Sequence, residues 1–531
     1  MQYPQDQENI LRGPSTSLLL SLPEELVEQI CRQLSSNRDS SSLAFLCRAS
    51  KDLNRIATRF LYSGFSSRGS TRRIALFLRT LYERPELCTY VRWLSLDGGV
   101  WFNLSEEHIG FISKAAERFG LDVLSPHKLD VYPSSKEESE NEEGGDDEVE
   151  NQARSDDGGE GNDQENVNHT SEEKDKEYDE ENDDDDDDDE DEDAYPRSQL
   201  DEYPFETMAQ LIIASTPNIR SLHVEGRQIM CDTGEGAFTM LEELAKRSPP
   251  PASLSHLRHL SFGHEDYREV SFKYFEGIIA LAPNIRTILA NPCFDQPIYA
   301  PKAPINIKNV TDLRFKSGHL STQGLTTILS SCERLEVFQY YYDTMYSGLD
   351  PGCATPRELI DVLSRYKDSL HYLDINLGSR EEHQGGLYFG LCIEGQEILS
   401  LKVFSRLETL KIDGTSVLFP EVGTDKCHTN ILTEMLPQSI RTLHLKDMQK
   451  EAAANLVTLT DSLEYFPHLA EIYLAGNEIG GPLGKFEVIF EDSEIQILRE
   501  RLTSRGISFL KRGHWKYSFV SYGDEETIEY W

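Results

Sequence analysis

One hydropathy phrase, apolar-x-x-apolar-x-apolar, recurs along this chain. It reads "VRWLSL" at 91, "IRSLHV" at 219, "LRHLSF" at 257, "IRTILA" at 285, "VTDLRF" at 310 and "LEVFQY" at 335. It returns as "LHYLDI" at 370, "LETLKI" at 407, "IRTLHL" at 440 and "LAEIYL" at 469. From 219 onward the intervals are 38, 28, 25, 25, 35, 37, 33 and 29 residues, the size of structural repeats. The alternation inside each phrase predicts a short strand. Helical stretches lie between phrases, among them "FETMAQLIIAST", "FTMLEELAKRS", "YFEGIIALAP", "GLTTILSSC" and "RELIDVLSRY". A strand–turn–helix unit cannot hide its own apolar face, so such units are expected to stack into one α/β array. At the C-terminus "IQILRERLTSRG" predicts a helix, "ISFL" a short strand, and "WKYSFVSY" an edge strand capping the last repeat.

The N-terminal pattern is different. Residues 1–16 are polar and unpatterned, whereas 21–62 carry three helical patterns: "SLPEELVEQICRQL", "SSLAFLCRA" and "KDLNRIATRFLY". In the first, Ser21 and Glu24 stand at the spacing of a reciprocal cap. Leu22, Leu26, Ile30 and Leu34 recur every four residues with Val27 and Cys31 beside them, a stripe wider than one helix hides. About forty residues make only a marginal core, so a partner or a following domain should share the burial.

The N-terminal residues resemble the F-box, particularly its fungal form. The resemblance rests on a Leu-Pro-x-Glu-Leu-x-x-x-Ile-x-x-x-Leu start and a Ser-Lys-x-Leu-x-x-x-Ala-x-x-x-Leu-Tyr finish over about 45 residues. The later phrases resemble the irregular leucine-rich repeats that follow F-boxes in many fungal proteins. They depart from the strict pattern in length and in mostly lacking the Asn after the strand, "LAGN" at 474–477 being the best survivor. The implied fold is α/β: a three-helix F-box at 17–63, a first repeat-like segment at 64–133, a disordered acidic insertion at 134–196, and an irregular leucine-rich-repeat solenoid with a C-terminal cap at 197–531. The implied partner is the Skp-type adaptor of cullin-RING ubiquitin ligases. By match to the motif, Leu22, Pro23, Glu25, Leu26 and Ile30 are its contacts, and Leu34, Leu43, Leu46, Leu53, Ile56 and Leu61 are interior. Periodicity alone also fits a plain three-helix cap in which all of them are core.

The repeats would then form the receptor for a protein substrate. On each strand the residue between the inward apolar pair points to the open face. That nominates Ser95, His223, Ser261, Leu289, Arg314, Gln339, Asp374, Lys411, His444 and Tyr473, a mixture suited to a protein surface or peptide.

Charge alters this picture less than its total suggests. Of the net −41, residues 137–193 hold 32 Asp and Glu against 3 basic residues, or −29, leaving −12 elsewhere. Such a tract cannot repay the entropy of folding. It is read as a solvated insertion, or as a binder of basic partners. Its sign disfavours nucleic acid. The nine cysteines form no C-x-x-C pair and no disulfide framework, which fits a reducing, intracellular compartment, cytoplasmic or nuclear. No 18-residue apolar run exists, so neither a membrane span nor secretion is expected.

Candidate chemistry is sparse. "GGPLGKF" at 480–486 fails as a phosphate loop because position 479 is Ile and Phe486 follows Lys485. "TGEG" at 233–236 is a lone Gly-x-Gly. His256, His259 and His264 cluster without a cysteine or carboxylate at ligand spacing. No nucleophile elbow or H-E-x-x-H helix is present. The expectation is a non-catalytic substrate-recognition subunit with no cofactor and no metal. The alternative is a repeat scaffold or acidic chaperone-like binder of basic proteins, independent of ubiquitination.

Overall fold

The computed structural model describes residues 18–37, 39–98, 106–121, 123, 204–226, 238–250, 253–263, 272–291, 293–294, 305–342, 352–377, 397–414, 430–446, 451–475 and 492–512. All of the described residues belong to one compact unit, spanning 1–124 and 199–531. The segments 1–16 and 134–196 and the strand expected from "WKYSFVSY" lie outside the described residues.

Three helices open the chain: α1 (Glu24–Ser36), α2 (Ser40–Ala49) and α3 (Lys51–Leu61). Asp39 accepts the backbone N–H of Ser42 at 2.9 Å and Ser50 that of Leu53 at 3.1 Å, so α2 and α3 begin on side-chain caps. The cap expected for α1 is not formed as read. The cap position falls on Pro23, which contributes no side-chain hydrogen bond, and Glu24 is instead engaged by Arg55 of α3 at 2.7 and 3.0 Å. That long-range fork holds the Glu24 carboxyl below its ordinary range and ties the start of α1 to α3. Val27, Cys31, Leu43, Leu53, Ile56 and Ala57 form a small core of their own, separate from the main one.

From Gly64 onward the chain builds one sheet. Its strands are β1 (Gly64–Ser66), β2 (Trp93–Gly98), β3 (Ser221–Gly226), β4 (His259–Gly263) and β5 (Thr287–Asn291). After β6 (Cys293–Phe294) come β7 (Asp312–Phe315), β8 (Gly318–His319), β9 (Val337–Tyr341), β10 (Tyr372–Asn376) and β11 (Thr409–Asp413). The last are β12 (Thr442–Lys446), β13 (Glu471–Ala475) and β14 (Ser508–Arg512). Twelve of them pair in parallel and in chain order, while β6 and β8 make a separate two-stranded pair. All ten hydropathy phrases contribute a strand to the sheet; β1 and β14 extend it at the two ends. A parallel pairing of successive strands requires a crossover between each pair, and most of the connections carry a helix.

The helices of these connections are α4 (Thr71–Glu83), α5 (Glu106–Glu117), α6 (Pro204–Ser215), α7 (Thr239–Lys246) and α8 (Glu276–Leu281). They continue with α9 (Thr322–Ser330), α10 (Pro356–Leu363), α11 (Ile431–Met435), α12 (Glu451–Asp461) and α13 (Asp492–Ser504). Helix α10 shows the local logic best: Thr355 and Glu358 form a reciprocal capping box, with Pro356 in the first turn. Helices α7 and α8 approach so closely that a Cβ on Gly277 would stand 2.6 Å from the backbone nitrogen of Glu242.

The core runs along the sheet as registered rows. Leu94, Leu222, Leu260, Ile288, Leu313 and Phe338 sit side by side and are buried, and Leu373, Leu410, Leu443 and Ile472 continue the row. Strand β2 pairs directly with β3, and both α5 and α6 lie between them in sequence. The acidic segment therefore interrupts a single crossover and leaves the order of the repeats intact.

Candidate functional site

Two surfaces carry the residues singled out by sequence. The first is α1. Its inner side is closed by Val27 and Cys31, while Leu22, Leu26 and Ile30 remain 36%, 45% and 37% exposed. Pro23 and Glu25 are exposed beside them. Because residues four apart share a helix face, Leu26 and Ile30 form one solvent-facing stripe on α1, which is packed on its other side, and Leu22 is exposed just before that helix begins. Covering what remains exposed of each is worth on the order of 1 kcal/mol. Phe45 on α2, 66% exposed, is a large apolar group that sequence reasoning passed over. Its signal was available, since Phe45 falls out of phase with the buried Leu43.

The second surface is the sheet face that alternates with the core rows. Strand register brings all ten nominated residues into one unbroken line: Ser95, His223, Ser261, Leu289, Arg314, Gln339, Asp374, Lys411, His444 and Tyr473. Their exposure is uneven. Ser95, His223, Ser261, Leu289, Arg314, Lys411 and Tyr473 are half-buried. Gln339, Asp374 and His444 are buried, so these three stand in the row without being open to solvent. Neighbouring side chains account for much of this: the Tyr473 ring stacks on His444 at 4.2 Å, and two tyrosine hydroxyls converge on Asp374.

Asp374 is the centre of a charged network. Lys446 Nζ lies 2.9 Å from its Oδ1, Tyr341 and Tyr372 hydroxyls donate to its Oδ2 at 2.8 and 3.2 Å, and Lys411 Nζ stands 4.0 Å away. Lys446 also donates to the Tyr341 hydroxyl at 3.2 Å, and its ammonium sits 4.5 Å from that ring's centroid. Burial, and then the charge of Asp374, push the Tyr341 and Tyr372 phenols far above their ordinary range. Both remain protonated donors. Burial also lowers Lys411, with Asp374 acting against it. Next to this network Arg314 grips Asp312 with two hydrogen bonds, at 2.8 and 2.9 Å.

A smaller relay joins β3 and β4: Ser261 Oγ lies 3.1 Å from His223 Nδ1, and His223 Nε2 lies 3.3 Å from Glu225. These are the group types of a hydrolytic triad with the ring nitrogens exchanged, and Ser261 sits inside a strand instead of on a strained turn. The relay fixes three side chains across the row. Among the described residues no group of three or more His, Cys, Asp and Glu is placed to hold a metal ion, and His264 lies outside them. Six described cysteines are free thiols.

Comparison with known protein families and with curated proteins finds no match for this chain. The surfaces must therefore be read from their own chemistry. Among the described residues, no helix is long and apolar enough to cross a membrane.

Proposed function

We propose that this protein is a non-catalytic substrate receptor of a Skp-cullin-F-box ubiquitin ligase. In this reading α1–α3 are the F-box and the parallel strand–helix array is an irregular leucine-rich-repeat domain that holds a protein substrate. The observation that carries it is the exposed apolar set of Leu26 and Ile30 on α1 and Leu22 just before it, outside a helix that already seals a separate three-helix core. An unpartnered apolar stripe on so small a unit fits a surface kept for a partner, as the resemblance of its sequence to the F-box implies. The row from Ser95 to Tyr473 supplies the mixed aromatic and charged face a protein substrate would use, with the half-buried Arg314, Lys411 and Tyr473 as its charged and aromatic anchors. Catalysis would come from proximity alone, by holding a substrate lysine near a ubiquitin-charged enzyme brought by the adaptor and cullin.

The deciding experiment is co-purification with a Skp-type adaptor of the natural chain and of Leu26→Glu/Ile30→Glu. Both side chains lie on the solvent side of α1, outside the buried set of Val27 and Cys31, so the variant should keep its circular dichroism spectrum and lose the adaptor. A natural chain that does not bind the adaptor, or a variant that binds it equally well, would remove the ligase reading and leave the repeat array as a scaffold.

A further inference from the structure

The end of the sheet where the strands begin carries a feature unrelated to the row described above. Arg92, Arg220, Arg258 and Arg286 each stand one residue before β2, β3, β4 and β5. Their backbones are bonded in succession: Arg220 N–H to Arg92 C=O at 2.6 Å, Arg258 N–H to Arg220 C=O at 2.8 Å, and Arg286 N–H to Arg258 C=O at 2.8 Å. Four arginines thereby hold registered positions on adjacent strands, about 4.8 Å apart at the backbone. Like charges placed directly opposite on neighbouring strands repel. No carboxylate lies within ion-pair distance of any of the four among the described residues.

Two of the four have a structural duty and two do not. Arg92 donates through Nη1 to the carbonyls of Thr89 and Val91, and Arg258 through Nη1 to those of Ser255, Leu257 and Asn284. Arg220 and Arg286 are exposed and make no side-chain hydrogen bond to the described residues. At one end the ladder opens into a cleft of about 470 Å³, where Lys308 and Arg334 join Arg258 and Arg286 against two carboxylates, Glu333 and Glu336. Arg334 is partly balanced there by Glu336, at 2.7 Å.

We infer that this arginine ladder is a docking site for a short acidic peptide segment of a partner protein, its Asp and Glu carboxylates lying across the ends of β2 to β5. Each guanidinium fork matches a carboxylate in two hydrogen bonds. The four positions span about 14 Å, the reach of roughly five extended residues. At physiological salt, charges beyond about 8 Å are largely screened, so the local surplus of arginine governs contact although the whole chain is acidic. A nucleic acid carries its charge well past the ladder, where Thr311, Glu336, His371 and Glu408 take the corresponding positions and set two carboxylates against it.

The test is fluorescence anisotropy of labelled octaglutamate with the full chain at about 0.05 and 0.2 M salt. Octaglutamine serves as the uncharged control. The ladder predicts saturable, salt-sensitive binding of octaglutamate and none of octaglutamine. Arg220→Gln/Arg286→Gln should weaken binding about three- to tenfold with an unchanged circular dichroism spectrum. Lys402→Gln, remote from the ladder in register, should bind as the natural chain does. No binding of octaglutamate at the lower salt would overturn the inference. Equal binding by the arginine variant, or tighter binding of an oligothymidylate of equal charge, would also overturn it. The adaptor plays no part in this measurement, so its outcome leaves the ligase reading untouched.

Discussion

Replacing Asp374 strikes the most heavily loaded point of the sheet. Its side chain is 2% exposed and that of Lys446 5% exposed, and their charged atoms stand 2.9 Å apart. At an effective dielectric near 20 the attraction at that distance is about 6 kcal/mol, most of it offset by removing both ions from water. Removing one partner forfeits the attraction while the other ion stays desolvated, which is why broken buried pairs cost about 3 to 5 kcal/mol. Asp374→Asn keeps the shape and some of the tyrosine hydrogen bonds, so the lower end, about 3 kcal/mol, is expected. Lys446→Met should cost a similar amount, whereas Asp374→Leu/Lys446→Met should recover about 2 kcal/mol or more of the summed losses. Urea unfolding measures the totals. Amide hydrogen exchange at Leu373–Ile375 and Leu443–Leu445 shows whether the loss is confined to β10–β12, as a nearest-neighbour array requires. The tyrosines give a second reading: with the Asp374 charge gone, Tyr341 and Tyr372 should ionise at lower pH in a spectrophotometric titration. Single losses below about 1 kcal/mol, or a double mutant additive within about 0.5 kcal/mol, would refute the reasoning.

Two further outcomes follow from buried groups and caps. Glu206 in α6 is 1% exposed and neither of its carboxylate oxygens has a hydrogen-bond partner among the described residues; burial raises its pKa to about 7, with its own backbone N–H acting against the rise. Its folded pKa lies above the unfolded one, so the folded state holds the proton between about pH 4.5 and 7. Stability should therefore fall across that window, by on the order of 3 kcal/mol in total, and Glu206→Gln should flatten the profile seen in urea titrations. Thr355→Ala removes half of the capping box of α10 and should cost about 1 kcal/mol, measured as a lower urea midpoint with no change in slope.

What the sequence determined is local and periodic. A phrase with apolar residues at positions 1, 4 and 6 has one solution as a strand, because alternate side chains must leave opposite faces. All ten strands were therefore legible, and so was the line of residues from Ser95 to Tyr473. Helix α1 was legible from its four-residue spacing, as were the buried Val27 and Cys31.

What the sequence did not determine depends on which residues the fold brings together. The α1 cap was read from local spacing, yet Glu24 found a better partner 31 residues away in Arg55. The burial of Asp374 is decided by Tyr341, 33 residues away, and by Lys446, 72 residues away. The arginine ladder links Arg92 to Arg220 across 127 intervening residues, most of them in the acidic segment and its flanks. Hydropathy periodicity reports which side of its own element a residue occupies. Charge pairing and register belong to contacts between elements, and those contacts exist only once twelve strands have stacked in order.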